Sequence, residues 1–324
     1  MFIGIDLGGT NIKVGLFDDQ LQHVDELWRA TQSELNSATV ISNMIATVQD
    51  LLVQNQIQAS TIQAIGIGVP GLLDIDAGVS KFSPNFMNWQ DVPIKEIFEN
   101  QFHVPVFIDN DVRVNLYGEW QFGAGVGQQN LLMVTLGTGL GSGVVMDGRV
   151  LYGATASAGE LGHMNMYRHG RPCACGSTGC LGRYVSARGI VKTAQEKLAS
   201  GTTSILTDWT HDDPSKITAK MLSQADEQHD QLAHTVWQET GALLGYGLAN
   251  AINLYNPAMI IIGGGVANAG ERLFTPTKQV VQAHGLKIAV AACQIVTAKL
   301  GDRAGMVGAA IMAQRRKLKN SNTV

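Results

Sequence analysis

The sequence predicts a two-lobe α/β protein made by duplicating one strand, glycine turn, strand unit, and three stretches carry that prediction. Residues Phe2 to Asp18, FIGIDLGGTNIKVGLFD, read as a β-branched strand, a glycine turn and a second strand whose Ile12, Val14 and Leu16 alternate inward. Residues Leu132 to Gly148, LMVTLGTGLGSGVVMDG, repeat the arrangement, with Leu7 falling on Leu136, Gly8 on Gly137 and Asp18 on Asp147. Residues Met259 to Val266, MIIIGGGV, read as a buried apolar strand ending in three glycines.

At 324 residues, 45% of them hydrophobic, the chain is about two domains long and can bury a large core. A formal net charge of −4 and the lack of a long basic run argue against a nucleic-acid face, so a small-molecule partner is expected. No apolar run reaches the roughly 18 residues of a membrane span. A cytoplasmic protein is therefore expected, and since the sequence opens on a strand rather than a secretory leader, its thiols are expected to stay reduced. The 37 glycines gather in short clusters between apolar runs, so backbone must approach something closely at several points, and phosphate is the usual guest.

In the first turn Gly8, Gly9, Thr10 and Asn11 can present backbone N–H groups and small polar side chains to an anion, while Asp6 stands where a Mg2+ shell can be held. An ordinary hairpin loop would use the same residues. The second copy, with Gly137, Thr138 and Gly139, favours two phosphate-holding turns facing one cleft, as a nucleotide needs. Gly264 and Gly265 of the third cluster would let backbone lie flat against an adenosine. None of the three is a GxxxxGK[ST] loop or a GxGxxG turn, so the architecture is a different one.

Between these landmarks, Thr39 to Asn55 places Val40, Ile41, Met44, Ile45, Val48, Leu51 and Leu52 on one face of an amphipathic helix, which is scaffold. Ile62 to Pro70 is a nearly continuous apolar strand running into Gly71; a glycine-containing hairpin, Ser83-Pro84-Asn85 and Trp89 follow. Pro-Gly and Pro-Asn are also plain turn chemistry that needs no ligand. The strand Val106 to Ile108 delivers Asp109, Asn110 and Asp111 at its C-terminal end, where α/β sheets bind ligands, just before a helix over Val112 to Gly123. Phosphoryl transfer to a hydroxyl needs a carboxylate within hydrogen-bond reach of that hydroxyl. Asp109 and Asp111 are both available, and either can instead cap the helix.

The lobe boundary is expected at that helix, with residues 1–115 and the C-terminal helix, about 307–324, in the first lobe and 116–306 in the second. Downstream, Ser186 to Leu198 and Asp226 to Leu254 read as helices, the longer one carrying Gly241, Gly245 and Gly247 for close packing, and Ser200 to Lys216 reads as a surface loop. Cys293 reads as a core thiol on a strand. The last helix, Ala304 to Leu318, ends in RRKLK, read as a dipole complement and solvated tail.

Three of the four cysteines, Cys173, Cys175 and Cys180, crowd into C-x-C-x4-C after His163, with Gly170, Pro172, Gly176 and Gly179 letting the loop fold back on itself. Thiolates and an imidazole at this density suit a closed tetrahedral Zn2+ site. Buried free thiols or a disulfide are the alternatives, the disulfide being disfavoured in a reducing compartment. His163 can bind metal through one ring nitrogen and offer the other to a ligand, and nearby Glu160 can accept two hydroxyl hydrogen bonds or simply be a solvated carboxylate.

The DLGGTNIK turn, the LGTGLGSG turn, GELGH and the H-x9-C-x-C-x4-C cluster together resemble the ROK family of bacterial sugar kinases and sugar-responsive repressors, from Phe2 to about Ala313. The resemblance implies the actin-like, hexokinase-like fold, a duplicated ribonuclease H-like pair of α/β lobes hinged over a cleft where ATP and a sugar meet. It implies that Asp6, Gly8, Gly9, Thr10, Asn11, Lys13, Gly137, Thr138, Gly139, Gly264 and Gly265 serve ATP and Mg2+. It implies that Gly71, Asn85, Asn110, Asp111, Glu160 and His163 face the sugar, with Asp111 as the base. One position departs from the pattern: the family's CGxxGCLE reads CGSTGCLG here, so Gly182 stands where a sugar-binding Glu is usual. A lost charge-assisted hydrogen bond is worth ~1.5–3 kcal/mol, or roughly tenfold and more in affinity, unless Arg183, Tyr184 or a water fills the gap.

The implied reaction is transfer of the γ-phosphoryl of ATP to a hexose 6-hydroxyl. Glucose is favoured because SPNxxxW and SARGIV are most similar to the glucokinase branch. N-acetylmannosamine, mannose or fructose as acceptor and polyphosphate as donor are the alternatives. ROK repressors carry a helix-turn-helix module before the first lobe, whereas Met1 here directly precedes the DLGGT strand, so a DNA-binding role is disfavoured. A sugar-binding relic without turnover is kept open by Gly182. Family members are commonly homodimers, so a homodimer or homotetramer is expected.

Overall fold

The computed structural model describes residues 1–321. In chain order the elements are β1 (Phe2–Leu7), β2 (Asn11–Phe17), β3 (His23–Ala30), α1 (Ser37–Gln54), β4 (Ala64–Val69), β5 (Leu72–Asp74), β6 (Val79–Phe82), β7 (Gln90–Val92), α2 (Ile94–Phe102), β8 (Val106–Asn110) and α3 (Asp111–Phe122). There follow β9 (Leu131–Leu136), β10 (Leu140–Met146), β11 (Arg149–Val150), α4 (Gly182–Val185), α5 (Ala187–Ala199), α6 (Leu206–Thr210), α7 (Ala219–Glu227) and α8 (Gln231–Tyr255). The chain closes with β12 (Met259–Gly263), α9 (Glu271–His284), α10 (Lys287–Ala292), β13 (Gln294–Thr297) and α11 (Ala304–Ser321).

The first compact unit comprises Met1–Gly127 and the chain from Lys299 onward. Its sheet runs β3-β2-β1-β4-β8, with β1 antiparallel to β2 and parallel to β4, and β4 parallel to β8. The central strands β1 and β4 are apolar and buried along almost their whole length, as strands covered on both faces must be. One face is closed by α1 and α2 through Val40, Met44, Val48, Leu51, Ile94 and Phe98. On β1 and β4, the paired residues Gly4 and Gly66 let the backbone of α11 rest on the strands: a Cβ on Gly4 would stand 1.8 Å from the Met306 carbonyl oxygen, and one on Gly66 1.9 Å from that of Ala309. The strands β5, β6 and β7 form a small separate antiparallel sheet.

The second unit, Gln128–Ala298, repeats the topology as β11-β10-β9-β12-β13 with the same strand directions. Two copies of one sheet are the duplicated actin-like, hexokinase-like fold. The hairpins differ in one respect. Leu7 pairs with Ile12, but Leu136 pairs with Leu140, so the second turn is one residue shorter and the β10 register slips by one relative to β2. The core of this unit is built on α8, with Trp237, Leu244, Leu248 and Ile252 buried, and Gly241 and Gly245 let α9 lie against it.

Several expectations are revised. The compact units divide after Gly127 and after Ala298 rather than after 115 and 306, because α3 packs along α11 within the first unit. Residues 322–324 of the expected terminal helix lie outside the described residues. The single helix expected over Asp226–Leu254 is two, since Asp230 caps α8 by accepting from the Ala233 N–H. The surface loop expected over Ser200–Lys216 contains α6 and a 3-10 turn, Pro214–Lys216. Cys293 is half-buried at the join of α10 and β13, not in a core strand. The basic end of α11 is solvated only at Leu318 and Lys319: Arg316 reaches Asp109, and the Arg315 guanidinium lies 4.4 Å from the Trp120 ring centroid. Among the described residues no helix is long and apolar enough to cross a membrane.

Candidate active site

The end of β8 separates three consecutive polar residues into three duties. Asp109 is fully buried; its Oδ1 accepts from Arg113 Nε at 2.6 Å and its Oδ2 from Arg316 Nη2 at 2.8 Å. Two guanidiniums compensate a carboxylate that burial alone would penalise, so Asp109 is committed to the core. Asn110 caps α3, its Oδ1 accepting from the Val112 N–H at 3.0 Å, which leaves its Nδ2 hydrogens as donors. Asp111, half-buried at the first position of α3, also accepts from the Val112 N–H through Oδ1. Residue type alone leaves Asp109 and Asp111 equivalent and the family resemblance favours Asp111; burial and ion pairing separate the two in the structure.

Asp111 lies close enough to Asp6 to act on it. Burial, and next the negative charge of Asp111, push the Asp6 carboxyl up to about 7, against the opposing charge of Lys13. Asp6 is seated against the first turn of α11, where a Cβ on Gly305 would stand 2.4 Å from its Cγ. Lys13, its cross-strand neighbour, is engaged by Asp302 Oδ1 at 2.8 Å and lies 4.7 Å from the Trp28 ring centroid. The turn between β1 and β2 is clamped from β3: Thr31 donates its N–H to the Thr10 carbonyl and its hydroxyl to the Gly8 carbonyl, while the Gly8 N–H donates to the Asn11 carbonyl. Asn85 is exposed beside this turn, 3.9 Å from where a Gly9 Cβ would be. Gly71 has φ of +104°, and a Cβ on it would stand 2.2 Å from the Phe82 carbonyl oxygen, so its own turn demands glycine.

In the second unit the glycines divide in an informative way. Gly264 has φ of +85° and lies against the Leu136 carbonyl, which brings the third glycine cluster beside the second turn. Gly137, Gly139 and Gly265 have ordinary φ, and a Cβ on any of them would meet nothing within 4 Å. Neither strain nor packing in this chain explains a glycine there, and the open space leaves room for a group to approach the backbone closely. The Gly137 carbonyl accepts from the Ala187 N–H of α5, and the Gly137 N–H donates to the Gly139 carbonyl, fixing the turn with Thr138 exposed at its tip.

Glu160 is exposed at the start of the short 3-10 turn Leu161–His163. Buried Ser142 on β10 clamps this segment, donating to the Gly159 carbonyl at 2.5 Å and accepting from the Leu161 N–H at 2.9 Å. A Cβ on Gly182 would stand 3.3 Å from the Gly162 carbonyl oxygen, so Gly182 is directed at the same turn.

His163, Cys173, Cys175 and Cys180 converge, their ligand atoms all within 4.8 Å of one another. His163 Nδ1 lies 3.7 Å from Cys173 Sγ, and Cys175 Sγ 3.7 Å from Cys180 Sγ. Tetrahedral sulfur ligands about 2.3 Å from Zn2+ stand roughly 3.8 Å apart, so this set fits that ion. The Ser177 N–H lowers the Cys175 pKa, which favours the thiolate a metal needs, while burial raises that of Cys180.

A model of the ROK family matches residues 2–316. The chain belongs to the ROK family. It is 34% identical to a glucokinase from Halalkalibacterium halodurans over 317 residues, 98% of this chain and 96% of that relative. A ROK family glucokinase from Streptomyces griseus, solved in complex with glucose and AMPPNP, superposes with a TM-score of 0.79 at 30% identity, covering 97% of this chain and 99% of that one. A ROK family transcriptional regulator homologous to the Escherichia coli MLC protein superposes with a TM-score of 0.83 at 26% identity, covering 98% of this chain and 78% of the regulator.

Some residues that shape this ROK chain had no signal in the sequence. Thr31 and Ser142 clamp the first turn and the Glu160 segment from neighbouring strands. Glu119, fully buried, accepts from the N–H groups of Ala124 at 2.9 Å and Leu300 at 2.6 Å, and from that of Lys299. Each partner is far in sequence or belongs to the backbone, so no local motif announces it.

Proposed function

We propose that the protein is an ATP- and Mg2+-dependent kinase acting on the 6-hydroxyl of glucose. The observation that carries the reading is the division of labour at the end of β8, which leaves Asp111 half-buried and beside Asp6 while Asp109 is consumed by arginines. Asp111 accepts the proton of the sugar O6 as that oxygen bonds to the γ-phosphorus of ATP; the bond to the β–γ bridging oxygen breaks and ADP leaves with its electron pair. Asn110, Glu160 and His163 hydrogen-bond sugar hydroxyls, with Asn85 and the Gly71 backbone as further sugar contacts. The turns Gly8–Asn11 and Gly137–Gly139 hold phosphates, and Gly264-Gly265 takes the adenosine side. Mg2+, held by Asp6 with Lys13 nearby, would neutralise the transferring phosphates. Structural Zn2+ would be held by His163, Cys173, Cys175 and Cys180, and so fix the loop that bears Glu160. Sequence similarity to glucokinases over nearly the whole chain supports glucose as acceptor. A cytoplasmic homodimer or homotetramer is the accompanying expectation.

A second reading, a sugar-binding protein without turnover, draws support from Gly182 and from the likeness to a transcriptional regulator. One experiment separates them: ADP release with Mg-ATP against glucose, mannose, N-acetylmannosamine, N-acetylglucosamine, fructose and allose. Turnover with glucose supports the kinase. Tight sugar binding with no ADP formed from ATP, and no sugar phosphate from polyphosphate, sinks it.

A further inference from the structure

We infer that Arg171 is the positioning residue of the metal cage, holding the Cys173 and Cys180 arms of the loop in their ligating arrangement. The inference rests on the zinc reading above and extends it to a residue outside the ligand set.

The loop has two arms, joined by the isolated bridges Asn165–Cys180 and Pro172–Thr178. Arg171 stands two residues before Cys173 on one arm, and its carbonyl accepts from the N–H of Gly179, the residue before Cys180, at 2.8 Å. Its own N–H donates to the Tyr184 hydroxyl at 2.8 Å. The side chain then leaves the loop for the platform formed by α4 and α5. Nη1 donates to the Arg183 carbonyl at 2.9 Å and the Gly189 carbonyl at 3.0 Å. Nη2 donates to Thr193 Oγ1 at 2.9 Å and Glu196 Oε2 at 2.6 Å. The guanidinium also lies 4.6 Å from the Tyr184 ring centroid. One residue therefore ties both cysteine arms to each other and to the second unit's helices.

Cys180 is buried, whereas His163 and Cys175 are exposed and Cys173 is half-buried, so three of the four ligands are not fixed by core packing. A cage left to assemble on the ion would set the ordering of the loop against the metal's affinity, whereas a cage already ordered does not. The guanidinium suits this task because its planar fork serves several acceptors in fixed directions; a lysine ammonium on a flexible stem does not reproduce that geometry. Arg171 is not one of the four ligating residues, so it acts through the arms that carry Cys173 and Cys180.

The test is competition for zinc against a chromophoric chelator of known affinity, with the full-length protein and its Arg171→Ala, Arg171→Lys and Glu196→Gln variants, alongside glucose KM and kcat. Arg171→Ala is expected to weaken zinc binding by roughly 10–100-fold, the range for residues that orient metal ligands. Arg171→Lys should lose nearly as much, Glu196→Gln less, and glucose KM should rise more than kcat falls. Zinc affinity equal to the parent's in both Arg171 variants overturns the inference. Should Arg171→Ala not fold, Arg171→Lys and Glu196→Gln decide, since the Glu196 side chain is 47% exposed and not part of the core; parental affinity in both is again fatal. A parent protein that binds no zinc overturns the underlying metal reading together with the inference, and metal analysis of the parent alone identifies that case.

Discussion

Arg316 of the last helix donates to Asp109 at the end of β8 across 2.8 Å, and through Nη1 to the Ile108 carbonyl at 3.0 Å. The pair joins the chain's terminal helix to the strand that delivers Asp111. Arg316→Ala should therefore destabilise the first unit by about 3 kcal/mol, the scale of breaking a buried ion pair. Thermal unfolding should show a Tm lowered by roughly 10 °C. An unchanged Tm would mean Arg113 alone satisfies Asp109.

Asp111→Asn keeps the shape of the side chain and its bond to the Val112 N–H, but removes the proton acceptor. Glucose kcat should fall by roughly 10²–10⁴-fold, the usual contribution of a general base, while glucose affinity changes little. A rate within a few-fold of the parent would take Asp111 out of the reaction.

Asp6 has a folded-state pKa of about 7 against an ordinary value of 3.8. Between those values the folded protein holds a proton that the unfolded chain has lost, so this group's contribution to stability is full below about 3.8, declines as pH rises through 7, and then levels off. Metal-free protein should thus lose Tm between about pH 4 and 7, and Asp6→Asn should flatten that loss. A parallel pH dependence in the variant would show that other groups cause it.

Gly182→Glu tests the departure from the family pattern. The new Cβ meets the Gly162 carbonyl oxygen at 3.3 Å and Leu140 Cβ at 3.4 Å, a tight but tolerable fit that aims the side chain at the Glu160 turn. Glucose KM is expected to fall by roughly 3–10-fold as a charge-assisted hydrogen bond is gained. A KM that stays put or rises would show that the sugar is held differently at this position.

Elemental analysis should find one zinc per chain, held by the three cysteines and His163. Cys175→Ser should abolish it and lower Tm; at free zinc 1,000-fold above its dissociation constant, the lost linkage is about 4 kcal/mol. Parent protein purified without chelators and still free of zinc would refute the site.

Much of this protein is legible in local pattern. The alternation of Ile12, Val14 and Leu16, the repeat of the glycine hairpin and the C-x-C-x4-C spacing each depend on residues a few positions apart, and secondary structure and short loops are decided at that range. Tertiary structure decided what depended on distant partners. Residue type alone leaves Asp109 and Asp111 alike, and although the family resemblance picks Asp111, only the fold shows Asp109 fully buried with Arg113 and Arg316 closed on it. Gly264 and Gly265 are adjacent glycines, yet the first is required by its positive φ and by the Leu136 carbonyl, while beside the second there is open space. The RRKLK end reads as solvated until Arg316 meets a buried carboxylate more than two hundred residues earlier in the chain. Hydrophobic periodicity specifies which elements form and which faces they bury, whereas the state of a charged or polar group is set by the charges and the burial that folding brings to it.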